Sequence, residues 1–150
     1  MLADTATGAL IGAGATLAGS LLTVLVYWLG RRIPTDVSAF AAQSAGTLDG
    51  ISQALAAIDR GDEDAARQAS NVTVYLGESE RLLGAARLHL RGRGEETADR
   101  FIVALRTAEQ QVLSAERDRR DDTRTAARAA YADALVRQRE FGRAAQKSRR

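Results

Sequence analysis

The sequence contains no cysteine, and this absence excludes both a disulfide framework and a thiolate metal site. It contains a single histidine, His89, so neither a serine–histidine–aspartate nor a cysteine–histidine catalytic arrangement can be assembled with any specificity. A metal at His89 would need carboxylates as its other ligands, which is an unusual donor set. We therefore expect no catalytic, cofactor-binding or metal-binding residues, and we interpret the protein as a non-enzyme without a small-molecule substrate.

Proline and strand-forming residues are also scarce. Pro34 is the only proline, and β-branched and aromatic side chains are sparse after it. Alanine, leucine, arginine and glutamate, which favour helices, take their place. The composition therefore predicts an all-α fold. The excess of arginine over lysine, together with abundant alanine and glycine, is typical of a GC-rich bacterial genome.

Charge is missing from one long segment, because no charged side chain occurs between Thr5 and Gly30. About 20 residues of α-helix cross the ~30 Å hydrocarbon core of a bilayer, so this segment is long enough to span one. A buried helix of a soluble protein is the alternative, but so short a chain has no core large enough to surround it. We predict that residues 1–32 form a single-pass transmembrane anchor with a short external N-terminus. Its acidic start and long apolar stretch differ from those of a cleavable leader.

The residues that flank the predicted span give its orientation. Tyr27 and Trp28 suit the headgroup region, and Arg31 and Arg32 would reach the lipid phosphates just beyond it. All 21 basic residues of the chain follow the span. Since the arginine-rich side of a span stays in the cytoplasm, we expect a cell-membrane protein whose N-terminus is outside and whose C-terminal domain is cytoplasmic.

One face of the predicted span carries small residues at steps of three and four. Small side chains allow helix backbones to approach closely, which is how helices associate in lipid. We therefore expect self-association, or pairing with another membrane protein, through Gly8, Gly12, Ala15, Gly19 and Thr23.

The charges after the span are mixed in sign. Only Asp4 of the 19 acidic residues precedes the span, so the 21 basic residues after it are nearly balanced. A dedicated nucleic-acid-binding domain would show a concentrated basic face instead. Membrane lipids and proteins are the expected partners, and nucleic acid is not.

The sequence of residues 33–147 predicts a cytoplasmic helical bundle, in which glycines separate the helices. Pro34 is suited to a helix start, and Gly61 ends the first helix. Apolar and small residues alternate steps of four and three, which directs one stripe towards a partner helix. The stripe of the first helix comprises Val37, Ala41, Ser44, Leu48, Ile51, Leu55 and Ile58.

The second helix repeats this spacing after a short connection at Gly61, which favours an antiparallel hairpin. Asp62, Glu63 and Asp64 are expected to cap its start. Its stripe comprises Ala65, Ala69, Val72, Leu76, Ser79, Leu83, Ala86 and Leu90. The third helix opens with Glu95 and Glu96, and its stripe comprises Ala98, Phe101, Leu105, Ala108, Val112 and Ala115.

The stripe disappears between Glu116 and Thr125 and then resumes in a different phase. The resumed stripe comprises Ala127, Tyr131, Ala134, Gln138, Phe141 and Ala145. No glycine or proline interrupts the charged stretch, so we favour one long third helix with a phase slip. The alternative is a separate fourth helix capped by Asp121 or Asp122. Residues 148–150 are expected to form a frayed basic tail.

The turn between the second and third helices is a predicted membrane contact. The first helix of the bundle would run away from the bilayer, and the second, of similar length, would return towards it. Arg91 and Arg93 should then lie at the headgroups, close to Arg31 and Arg32, where each adds up to about 1 kcal/mol of attraction to an anionic surface.

The region after the span also resembles, in part, the HAMP linker of bacterial receptors. The resemblance rests on an arginine pair and Pro34 after the span, on Gly61-Asp62, and on the acidic-leucine segment from Glu78 to Arg87. That family uses two short parallel helices, whereas the connection at Gly61 is tight and favours antiparallel ones. We transfer no functional residue from that family to this chain.

These observations favour a membrane-anchored helical interaction or scaffolding protein. A regulatory or signal-relay subunit of a larger membrane complex is one alternative. A phage-type holin or lysis accessory protein is another, although two-thirds of this chain would be an organised bundle and a holin relies on its spans.

Overall fold

The computed structural model describes residues 34–147, which contain four α-helices. The helices are α1 (Thr35–Arg60), α2 (Ala65–Ala86), α3 (Arg93–Asp118) and α4 (Asp121–Lys147). Among residues 34–147, none of the helices combines the length and the apolar character needed to cross a bilayer. The all-α bundle predicted from the sequence is confirmed, and of its two predicted forms the four-helix one is observed.

Several predictions fall outside the described residues. They concern the span at 1–32, the tail at 148–150, the interface residues Tyr27, Trp28, Arg31 and Arg32, and the small-residue face of Gly8, Gly12, Ala15, Gly19 and Thr23. They remain predictions.

Helices α1 and α2 form an antiparallel hairpin around Gly61. This glycine adopts a left-handed conformation with φ of 69°, and the amides of Gly61 and Asp62 donate to the carbonyls of Ile58 and Ala57. Such a turn closes the end of α1 and reverses the chain within a few residues. The helices are therefore not parallel, unlike those of the HAMP linker that this region resembles.

The start of α2 differs from the prediction in one respect. Asp64 occupies the N-cap position, but its side chain makes no hydrogen bond to the backbone amides there. Its carboxylate accepts a hydrogen bond from Arg67 at 2.7 Å instead. The helix also ends at Ala86 rather than at Leu90, which is buried in the following turn.

The favoured single long third helix is wrong, because the helix breaks at Arg119. This residue adopts a left-handed conformation with φ of 52°, and its amide donates to the Ala115 carbonyl. The charged stretch offers no apolar side chain whose burial would favour continuing the helix. Reversing direction there lets α4 return along the bundle and bury Phe141, which one straight helix could not do.

The predicted stripes supply most of the core. All stripe residues of α2 and α3 are buried, whereas Ala41 in α1 and Tyr131 and Gln138 in α4 are half-buried. Phe40 and Thr47 are fully buried although they lie beside the predicted stripe of α1. Helix α1 contacts all three other helices, so its buried face is wider than the seam of a two-helix coiled coil.

Three phenylalanines form the bulkiest part of the core. Phe40, Phe101 and Phe141 come from α1, α3 and α4, with ring centroids 5.3 Å apart for Phe40 and Phe141 and 6.2 Å apart for the other two pairs. Aromatic pairs at such separations add about 0.5–1.5 kcal/mol beyond area burial. The cluster joins α1 to α3 and α4 near Pro34, so the largest buried side chains lie at that end of the bundle.

Candidate functional site

The turn between α2 and α3 exposes an unusual set of side chains. Leu90 is buried and fixes the turn against the bundle, while Leu88 is 79% exposed. Gly92 has a φ of 52° and occupies the N-cap position before α3. Arg91 and Arg93 flank it and are both exposed. The turn therefore presents one large apolar side chain beside two guanidinium groups.

This turn lies at the end of the bundle where the described chain begins. The Nε2 atom of His89 lies 3.1 Å from the Oδ2 atom of Asp36, which is in the first turn of α1. The structure thus brings Arg91 and Arg93 to the Pro34 end, as the antiparallel geometry predicted.

A basic cleft of about 480 Å³ opens at the same end, between the start of α3 and the end of α4. Four cationic side chains and one carboxylate line it, together with Thr97 and Ala144. The charged residues are Arg93, Arg100, Glu140, Arg143 and Lys147.

Two of these charges are already paired. Arg100 forms an ion pair with Glu96, and Glu140 accepts a hydrogen bond from Arg137 at 3.0 Å. Within residues 34–147, Arg93, Arg143 and Lys147 have no carboxylate within 4.0 Å. The cleft therefore keeps an uncompensated positive charge.

Sequence reasoning found Arg93 but missed Arg143 and Lys147. The latter two are four residues apart and so share one face of α4. Their spacing was visible in the sequence. Their position beside Arg93 was not, because it depends on the chain reversal at Arg119.

The opposite end of the bundle carries an acidic counterpart. A cleft of about 690 Å³ beside the Gly61 turn is lined in part by Asp62, Glu63 and Asp64. Arg60 and Arg67 pair with the two aspartates at 2.7 Å, so this charge is largely compensated. Within residues 34–147, no group of three or more histidine, aspartate or glutamate side chains could hold a metal ion.

The side of the bundle offers an apolar surface between α3 and α4. Val103 is 55% exposed and Val136 is 47% exposed. Val103 lies in a shallow groove of about 510 Å³, whose floor includes Ala104 and Thr107 and whose rim carries Asp99, Arg100, Asp133 and Arg137. An apolar floor with a charged rim of both signs is typical of a protein-binding surface.

Exposed ion pairs link neighbouring helices. Arg87 hydrogen-bonds Asp99 at 2.7 Å between the end of α2 and the start of α3, and this contact raises the pKa of the Arg87 guanidinium. Arg128 binds Asp59 at 2.7 Å between α4 and α1, with the same effect on the pKa of Arg128. Solvent-exposed pairs of this kind set helix register more than they stabilise the fold.

Comparison with known proteins assigns no family to this arrangement. No protein-family model matches the chain, and no curated protein or solved structure matches it either. The function is therefore argued from the residues of the bundle and from the uncharged segment before it.

Proposed function

We propose that the protein is a single-pass, membrane-anchored helical interaction protein, with an external N-terminus and a cytoplasmic bundle. The observation that carries this proposal is the uncharged run from Thr5 to Gly30, which ends only a few residues before the bundle begins at Pro34. Its length matches a bilayer, and every basic residue follows it. The role assigned to the bundle is binding rather than catalysis.

The α3–α4 groove is the surface proposed for a protein partner. Val103 exposes apolar area in this groove beside charged residues of both signs. The same surface on a second copy is one partner of suitable chemistry, since a span with a small-residue face would bring copies together. That face comprises Gly8, Gly12, Ala15, Gly19 and Thr23.

The Pro34 end of the bundle is the proposed membrane-facing end. Arg91 and Arg93 are exposed there beside Leu88. Tyr27, Trp28, Arg31 and Arg32 would supply the interface residues of the span itself.

The anchor and its orientation can be tested by a fusion after Arg150. A phosphatase that is active only after export should stay silent there, while a cytoplasmic reporter at the same point should be active. Removing residues 1–32 should move the protein from the membrane fraction to the soluble fraction. An active exported reporter, or attachment of the truncated chain that resists extraction by alkaline carbonate and high salt, would refute this topology.

The interaction surface can be tested by photocrosslinking of the full chain in its native membrane. A photoreactive residue at Val103 should give a discrete adduct, either of two copies or with one other protein. The matched control is Arg67, which is exposed on α2 away from the groove. Equal adducts at both positions, or none at Val103, would remove the groove from the proposal.

A further inference from the structure

We propose that the basic cleft between α3 and α4 binds the phosphate headgroup of an anionic phospholipid, with Leu88 entering the adjacent acyl boundary. This inference rests on the proposed membrane attachment and adds a specific lipid site to it. The cleft and the turn belong to the same end of the bundle, as the contact between His89 and Asp36 and the shared residue Arg93 establish.

The charge pattern points to an anion. Most arginines of residues 34–147 pair with a carboxylate within 4.0 Å. The cations of this range without such a partner are Arg117, Arg139 and a group of four at the Pro34 end of the bundle, which comprises Arg91, Arg93, Arg143 and Lys147. Because these exposed cations have no carboxylate partner within the bundle, they are available to bind an anion from outside it.

The donors in the cleft suit a phosphate group. Guanidinium groups at Arg93 and Arg143 can each give two parallel hydrogen bonds to phosphate oxygens, and Lys147 adds a compact charge. The hydroxyl of Thr97 already donates to the backbone carbonyl of Arg93 at 2.8 Å. The site therefore relies on its cations, and the pairing of Glu140 with Arg137 reduces the repulsion that this carboxylate would cause.

The exposed leucine favours a lipid over a nucleic acid or free phosphate. Leu88 is 79% exposed and lies three residues before Arg91. Binding of a nucleic-acid backbone or an inorganic anion gains nothing from an exposed leucine. A membrane interface stabilises both groups, since the apolar side chain enters the acyl boundary while the basic ones meet the phosphates.

The headgroup site is tested with the full chain in a neutral detergent. Native mass spectrometry would count bound phosphatidylglycerol against phosphatidylcholine for the wild type and for the triple variant Arg93→Gln/Arg143→Gln/Lys147→Gln. The variant should lose its preference for phosphatidylglycerol by about tenfold or more, since each cation contributes. The control Arg117→Gln, an exposed arginine at the far end of α3, should keep it.

The position of Leu88 is tested with a single fluorescent label. Because the chain has no cysteine, Leu88→Cys provides one site for a polarity-sensitive dye. In nanodiscs the emission should shift to the blue when phosphatidylglycerol is added, and the triple variant should abolish the shift. A dye at Ala66, exposed near the opposite end, should not respond.

Other outcomes overturn the proposal in distinguishable ways. Binding of inorganic phosphate, or of a 20-nucleotide RNA, that is stronger than lipid binding and equally sensitive to the triple variant would assign the cleft to that ligand instead. A chain that stays in the membrane fraction but keeps its lipid preference in the triple variant refutes the cleft alone. A chain that is soluble refutes the anchor, whatever the cleft binds.

Discussion

Gly50 in α1 lies directly beneath the ring of Tyr75 in α2. A Cβ atom at position 50 would lie 2.9 Å from the Cδ2 atom and 3.2 Å from the Cε2 atom of that ring. Glycine in a helix interior costs about 1 kcal/mol relative to alanine. Here the cost is offset because the missing side chain lets the tyrosine ring cover the hairpin.

The two glycines of α1 should respond oppositely to replacement by alanine. A Cβ atom at Gly46 would meet nothing within 4 Å, so Gly46→Ala should stabilise the fold by about 1 kcal/mol. In Gly50→Ala the new Cβ atom would crowd the Tyr75 ring, and such overpacking costs roughly 1–3 kcal/mol, which should cancel the gain in helix propensity. Thermal unfolding of the full chain, followed by circular dichroism, measures the difference. In a Tyr75→Ala background Gly50→Ala should become favourable, and a gain without that change would contradict the packing described.

A pair of leucines tests the core assignment. Leu83 is 4% exposed and Leu88, five residues later, is 79% exposed. Leu83→Ala should destabilise the bundle by about 2–4 kcal/mol, since it removes buried methyl groups and leaves a cavity. Leu88→Ala should change the free energy of unfolding by less than about 0.5 kcal/mol. Equal losses from chemical unfolding curves would show that the two leucines share an environment.

The break at Arg119 predicts that glycine stabilises the fold at this position, whereas glycine within a helix usually destabilises it. Because Arg119 has a φ of 52°, Arg119→Gly should relieve the roughly 1–2 kcal/mol that a side chain costs in this conformation. The gain is partly cancelled by the greater entropy of the unfolded chain. Arg117→Gly, within α3, should instead destabilise by about 1 kcal/mol. If both variants were destabilised alike, the helix would have to continue through Arg119.

The ion pair within α2 predicts a pH response at Glu78. The Arg81 guanidinium hydrogen-bonds both oxygens of Glu78, and this holds the pKa of Glu78 below its ordinary value. Because the folded pKa is depressed, the stabilisation is present above the ordinary glutamate pKa and is lost as pH falls through the lowered one. NMR titration of the full chain should show Glu78 returning to its ordinary pKa in Arg81→Gln. The control Arg67→Gln should leave it unchanged.

Local signals in the sequence predict most of the helices. Gly61 and the Arg91–Gly94 segment mark the turns because a left-handed residue is needed there, and glycine adopts it without strain. The apolar stripe of α2 is regular because this helix buries a narrow face, whereas α3 also buries Ile102 and Ala104 beside its stripe. Such features depend on neighbours in the sequence and are readable from it.

The features missed by sequence reasoning depend on contacts between distant residues. The break at Arg119 carries no glycine and follows from the gain in burying Phe141 against Phe40. Thr47 is buried because its hydroxyl lies 2.9 Å from that of Ser79 on the facing helix. The basic cleft depends on both the break and the return of α4, so no local pattern in the sequence distinguishes Arg143 from a solvated arginine.

The uneven core has a consequence for how the bundle opens. Helix α4 buries only Ala127 and Ala134 along its first half, while Phe141 lies near its end, within the aromatic cluster. Because alanine buries little apolar area, the free energy of local unfolding should be lower for the first half of α4 than for the rest of the bundle. Amide hydrogens around Ala127 should exchange with solvent well before those around Phe141. Local opening of the bundle would then begin at the end opposite Pro34, while the basic end stays closed.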